Sequence, residues 1–211
     1  MEKLDLRKQF KRFYAPSARK VEFIDVPEFK FAMLDGKIEP GQGPGSSPLF
    51  QEALTALYVI SFTLKFASKL RKVDPLDYSV MALEGLWWGD TEAFDVNDPL
   101  KAWNFTLLMM QPDHITPEMF QDGLAQLHKK KDSPSLAKLR LESFHEGLCV
   151  QTMHIGPYLE ETRTVMALKA FAGQAGCRLG GKHHEIYLGD PRKAQPEKLK
   201  TVLRYPIDKV T

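Results

Sequence analysis

Glu185 occupies an unusual position for a carboxylate. It lies in the run His183-His-Glu-Ile-Tyr-Leu188, whose alternation predicts a strand. Residues two apart on a strand share a face, so Glu185 lies with His183 and Tyr187, while His184, Ile186 and Leu188 point the other way. Glu84 sits in a comparable run from Tyr78 to Trp88 and shares a face with Val80, Ala82, Leu86 and Trp88. Burying a carboxylate among such neighbours costs several kcal/mol unless it is paired or protonated. A carboxyl group held that way has two chemical uses. With its pKa raised it can take a proton from water while a tyrosine or second carboxyl donates one to a developing oxyanion. Glu185 is then the water activator, and Glu84 or Tyr187 the donor. Surrounded by aromatic faces it can also hold an organic cation, at about 0.5–2 kcal/mol per ring. Trp88, Trp103, Phe105, Tyr158 and His183 complete the candidate ligand-binding set with Glu185. The competing assignments are plain ones: a strand glutamate facing solvent or a lysine, and tryptophan and phenylalanine side chains that only pack a core.

Other chemistries fit the sequence less well. His183 and His184 are adjacent on a strand and point to opposite faces, and no further cysteine or histidine cluster completes a zinc site. No metal and no cofactor are expected. Cys149 and Cys177 lack redox-motif spacing, and Gly41-Gln-Gly-Pro-Gly45 lacks the lysine and hydroxyl residue of a phosphate-binding loop.

The elements that must position these residues follow from periodicity and punctuation. Val21 to Leu34 reads as a strand interrupted by Pro27 and turned by Asp35-Gly36. Ser47-Pro48 opens a helix, with Ser47 as cap, whose apolar face runs through Phe50, Leu54, Leu57, Ile60 and Leu64 to an end near Val73-Asp74-Pro75. Strands follow at Asp77–Trp88 and Lys101–Gln111. Thr116-Pro117-Glu118 starts a helix to Lys130, and a short second helix lies within 132–140. The later half predicts a strand at Leu148–His154, a helix from Gly156-Pro157 to about Gln174, a loop at 176–182, and strands at His183–Leu188 and Leu199–Ile207.

The order repeats. Ser47-Pro-Leu-Phe-Gln-Glu52 parallels Gly156-Pro-Tyr-Leu-Glu-Glu161, and Glu84-Gly-Leu-Trp-Trp-Gly-Asp90 parallels Glu185-Ile-Tyr-Leu-Gly-Asp190. The expected fold is α+β, built of two pseudo-symmetric βαββ repeats whose antiparallel sheets form a central ligand cleft. Repeat one covers about 21–112, connector helices 113–140 and repeat two about 141–208. Residues 1–20, with Lys3, Arg7, Lys8, Lys11, Arg12, Arg19 and Lys20, read as a basic surface arm ahead of a domain over 21–211.

Composition narrows the partners. The 211 residues carry 29 basic and 27 acidic side chains, a net +2, with 43% hydrophobic and 27% charged residues. That is globular, and too balanced to argue for nucleic acid. The charged first residues carry no signal-peptide core, and the Leu54–Leu64 run is too short to span a bilayer. A cytoplasmic protein with free cysteines is expected, with a small-molecule partner, no membrane association, no direct DNA binding, and a monomeric or homodimeric state.

The sequence resembles the GyrI-like small-molecule-binding family. The resemblance rests on Val26-Pro27-Glu28 with Asp35-Gly36, Gly156-Pro157-Tyr158, His184-Glu185-Ile186-Tyr187-Leu188, Asp190-Pro191-Arg192 and the run Pro196–Arg204 leading to Pro206. It implies two βαββ repeats around a cleft, with an acidic residue at the Glu185 position set among aromatic side chains to attract cationic drugs. It also implies kinship with stand-alone members rather than with regulators that carry a helix-turn-helix. Some stand-alone members open the strained cyclopropane of DNA-alkylating natural products with water; others bind drugs or inhibit gyrase.

Overall fold

The computed structural model describes residues 3–90, 102–130 and 133–210. In chain order these form β1 (Lys3–Leu4), α1 (Leu6–Gln9), α2 (Lys11–Tyr14), β2 (Glu22–Ile38), α3 (Pro48–Lys69), β3 (Asp77–Tyr78), β4 (Leu83–Gly89), β5 (Trp103–Met110), α4 (Pro117–Lys130), α5 (Pro134–Ala137), β6 (Arg140–Ile155), α6 (Glu161–Gln174), β7 (Cys177–Leu179), β8 (His183–Tyr187) and β9 (Lys200–Lys209). Lys101, at the start of one predicted strand, lies outside the described residues.

The strands run β6-β2-β5-β4-β8-β9, and β9 pairs back onto β6, so an antiparallel sheet closes into a six-stranded barrel. Closure leaves these strands no free edge. The two expected repeats are β2-α3-β4-β5 and β6-α6-β8-β9. Like strands meet where the halves join: β2 pairs with β6, and β4 with β8. The long first strands bend where Val26, beside Pro27, faces Gly147, whose φ of 74° an L side chain rarely adopts.

Helices cover the outer face. Ser47 caps α3 by accepting from the Phe50 amide at 3.3 Å, as its sequence suggested. Phe50, Leu57, Ile60 and Leu64 of α3 are buried in the main core with Leu34, Phe105 and Leu107 of the sheet. In the second half, Leu168 and Ala172 of α6 pack on Val150 and Leu203. The opposite parity, including Phe31, Leu86, Leu108, Ile186 and Val202, faces inward.

Several elements differ from their sequence outlines. The strand expected from Asp77 starts at Leu83, because Asp77-Tyr78 pairs instead with β1 in parallel. β6 begins at Arg140 and not Leu148, since its early part has β2 as a partner. The expected loop at 176–182 contains β7, which pairs with β9. The basic arm is also more than a surface segment. Leu6 and Tyr14 are buried at the ends of an i, i+4, i+7, i+8 pattern with Phe10 and Phe13, and the backbone carbonyls of Arg12 and Phe13 accept hydrogen bonds from Gln151 and Arg204 of the barrel.

Candidate functional site

Antiparallel register decides which side chains share the outer face. Gly85 of β4 sits opposite Glu185 of β8, Trp87 opposite His183 and Leu83 opposite Tyr187; on the other side β9 places Leu203 against Glu185 and Thr201 against Tyr187. His183, Glu185, Tyr187 and Trp87 therefore project together. Glycine at position 85 is required by crowding: a Cβ there would lie 2.7 Å from the Trp87 indole nitrogen and 3.2 Å from the Tyr187 hydroxyl. The Gly156-Pro157 turn brings Tyr158 and Glu161 over this patch. His154 pins the turn, with one ring nitrogen 3.1 Å from the Pro157 carbonyl and the other 2.9 Å from the Thr164 hydroxyl.

Three titratable groups meet in the patch, and all are buried: Glu161, His183 and Glu185. His183 Nε2 lies 3.0 Å from Glu185 Oε1 and 3.8 Å from Glu161 Oε2. Neither Glu161 oxygen has a hydrogen-bond partner among the described residues. Burial, then the neighbouring Glu185, pushes the Glu161 carboxyl up to about 8, so it keeps its proton at neutral pH. Burial opposes a charged His183, but the two carboxylates outweigh it and hold the imidazole up to about 9. The resting site thus contains a charged imidazole held by Glu185 beside a neutral Glu161 carboxyl.

Phenols and an indole surround these groups. The Trp87 Nε1–H donates to the Tyr187 hydroxyl at 3.0 Å. Tyr158 stands edge-on to Tyr187 with ring centroids 5.7 Å apart, and Tyr205 lies 4.9 Å from the His183 ring. Burial, then Glu185, raises the Tyr158 hydroxyl to about 12 and pushes Tyr187 well above its ordinary value, so both remain proton donors.

Residues 120–208 match the GyrI-like small molecule binding domain. The crystal structure of an uncharacterized conserved protein from Listeria innocua superposes with a TM-score of 0.88 at 40% identity, covering 98% of this chain and 100% of that one. This chain belongs to the GyrI-like small-molecule-binding family. A second Listeria innocua structure, of a hydrolase encoded by lin2189, is 39% identical over the same shares, with a TM-score of 0.85. The C-terminal domain of EcmrR shares the fold at 13% identity and a TM-score of 0.56, covering 90% of this chain and 98% of its own. No curated protein matches the sequence.

Within this GyrI-like fold, the structure brings Glu185, Tyr187, His183 and Tyr158 together. Trp103 and Phe105 share their face of the sheet but pack around Trp87 and Phe50 in the core, with Phe105 fully enclosed. Glu84 and Trp88 do not join them: both lie on the inner face. The apparent match of Glu84 with Glu185 spans runs of unequal length, and one residue reverses strand parity. Anchored on Gly89-Asp90 and Gly189-Asp190, Gly85 is the counterpart of Glu185, Trp87 of Tyr187 and Glu84 of His184. The last two pairs are hydrogen-bonded across the junction.

Inside the barrel Glu84 belongs to a buried polar chain. Tyr14 donates to Glu84 Oε1 at 2.6 Å, His184 Nε2 lies 3.0 Å from Glu84 Oε2, and His184 Nδ1 lies 2.9 Å from Glu146 Oε1. Arg204 donates to Glu146 Oε2 at 3.0 Å and to Gln151 at 3.1 and 3.2 Å. Burial works against the Glu146 charge, but His184 and Arg204 hold that carboxyl at about 2.

Glu161 and Trp87 were absent from the sequence-derived set. Glu161 had a readable signal: it starts the apolar stripe Val165, Leu168, Ala172 at helical spacing, which turns it toward the sheet. Glu161, His183 and Glu185 each offer an atom within 4.8 Å of the others, a spacing a divalent cation could use. His183 and His184 point to opposite faces and do not share such a site. Among the described residues, no helix is long and apolar enough to cross a membrane.

Proposed function

We propose that this protein binds hydrophobic electrophiles at the Glu185 patch and adds water to them, with cyclopropane-bearing alkylating compounds as the substrate class. One observation carries the reading: two carboxyl groups in one buried site, one of them pushed up to about 8, beside a phenol that keeps its proton. The 39% identity to a protein described as a hydrolase supports it. Glu185 takes a proton from water as the oxygen attacks the least hindered ring carbon. In a substrate whose cyclopropane is fused to a dienone, the strained C–C bond breaks, its electron pair passes through the dienone to the carbonyl oxygen, and Tyr187 or Glu161 protonates that oxygen. His183, charged and set between Glu185 and the protonated Glu161, orients Glu185 and passes a proton back. The net change is addition of one water molecule.

Incubation with such a compound should yield the water adduct by mass spectrometry. Glu185→Gln, folded by circular dichroism, should lose turnover by about 10²–10⁴-fold, the range for removing a general base. Turnover unchanged in that variant removes Glu185 from the mechanism.

A second reading draws on the aromatic side chains around the carboxylates: capture of lipophilic cations without chemistry. Tetraphenylphosphonium binding that needs Glu185, with no adduct formed from any cyclopropane substrate, would favour it.

A further inference from the structure

A pocket of about 300 Å³ lies on the other side of the sheet from Glu185. That volume is at the small end of ligand sites. Leu86, Phe144 and Pro206 give it apolar lining, and Glu146 also lines it. Gly181, with φ of 61°, turns the chain against Pro206, and Lys182 and His145 also line the pocket.

The described acidic groups around this pocket already have partners, and among the described residues the ammonium has no carboxylate partner. Both Glu146 oxygens are occupied by His184 and Arg204. Asp35, the nearest other carboxylate to influence Lys182, is held by Arg140 at 3.0 Å and by the Thr106 hydroxyl at 2.7 Å. Lys182 Nζ rests 3.5 Å from the centre of the Trp88 ring, and among the described residues no carboxylate pairs with it. Partial burial pulls its pKa below the usual lysine value, the mark of a charge poorly served by solvent. Among the described residues, this cation over an indole and beside an apolar slot has no anion.

We propose that this inner pocket binds a small planar carboxylic acid, its carboxylate on Lys182 and its ring against Phe144 and Pro206. The site is separate from the Glu185 patch, because strand parity sends the two sets of side chains to opposite faces.

The test is calorimetric titration of the full chain with 1-naphthoate, alongside the neutral 1-naphthalenemethanol and the cationic 1-naphthylmethylamine. Naphthoate should bind with a stoichiometry of one, and Lys182→Met should weaken it by about tenfold or more, the worth of one charge-assisted hydrogen bond. Lys182→Arg should retain most of the affinity, and Glu185→Gln all of it. Four results would overturn the assignment: no binding of naphthoate, equal binding of the alcohol or amine, undiminished binding in folded Lys182→Met, or loss of binding in Glu185→Gln.

Discussion

Replacing Glu161 by glutamine should change how the protein's stability depends on pH. In the folded chain the Glu161 carboxyl keeps its proton up to about 8, against an ordinary value of 4.5. Between those limits the native state binds a proton that the unfolded chain has released. Stability therefore falls as pH rises through this window and levels off above it. At about 1.4 kcal/mol for each pH unit, the full window amounts to about 5 kcal/mol. Glutamine also removes the support that Glu161 gives the His183 charge, leaving a difference of about 2–5 kcal/mol between Glu161→Gln and wild type at pH 9, in the variant's favour. At pH 5, where a neutral amide stands in for a neutral acid, the two should agree within about 1 kcal/mol. His183 titrates near 9 and owes part of that rise to Glu161, so in the variant it loses its charge at lower pH and the difference curve reports the coupled Glu161–His183 pair. Urea unfolding at pH 5, 7 and 9 measures this directly. Parallel curves for the two proteins would show that Glu161 is not a buried acid.

Gly85→Ala should break the Trp87–Tyr187 hydrogen bond by crowding both groups, lowering turnover by about tenfold with a fall of a few degrees in Tm, read by mass-based assay and thermal melt. Glu84→Gln should leave turnover within about threefold of wild type while costing about 1–3 kcal/mol in denaturant, because its carboxylate serves Tyr14 and His184 inside the barrel; a large loss of turnover in a folded variant would contradict that placement. Arg204→Met should destabilise the fold by about 3–5 kcal/mol by leaving Glu146 buried without one of its two cationic partners, and Glu146→Gln added to it should restore part of the loss, as a double-mutant cycle in urea will show. Chelator treatment should leave turnover unchanged, since the proton held by Glu161 and the charge on His183 balance the site; activity that falls with chelator and returns with zinc or manganese would put an ion between Glu161, His183 and Glu185.

Much of the architecture was legible locally. The Ser47 cap, the apolar stripe of α3 and the alternation of β8 are properties of neighbouring residues, and each element formed where those signals stood, while the helix expected from Gly156-Pro157 begins at Glu161 after a 3-10 turn over Tyr158–Glu160. The companionship of His183, Glu185 and Tyr187 needed only the period of a strand. The doubled motif likewise announced two repeats.

Tertiary structure decided how the strands align, and with that what each face contains. A register is a relation between residues far apart in the chain, and one step of it exchanges the two faces. The placement of Gly85 against Glu185 sent Glu84 into the barrel and brought Trp87 to the patch. Helix docking turned Glu161 from a first-turn carboxylate into a buried acid, because a pKa responds to surroundings assembled from β8, β9 and α6 together. The inner chain from Tyr14 through Glu84, His184 and Glu146 to Arg204 draws on five separate stretches of sequence, and only barrel closure brings them within hydrogen-bonding distance.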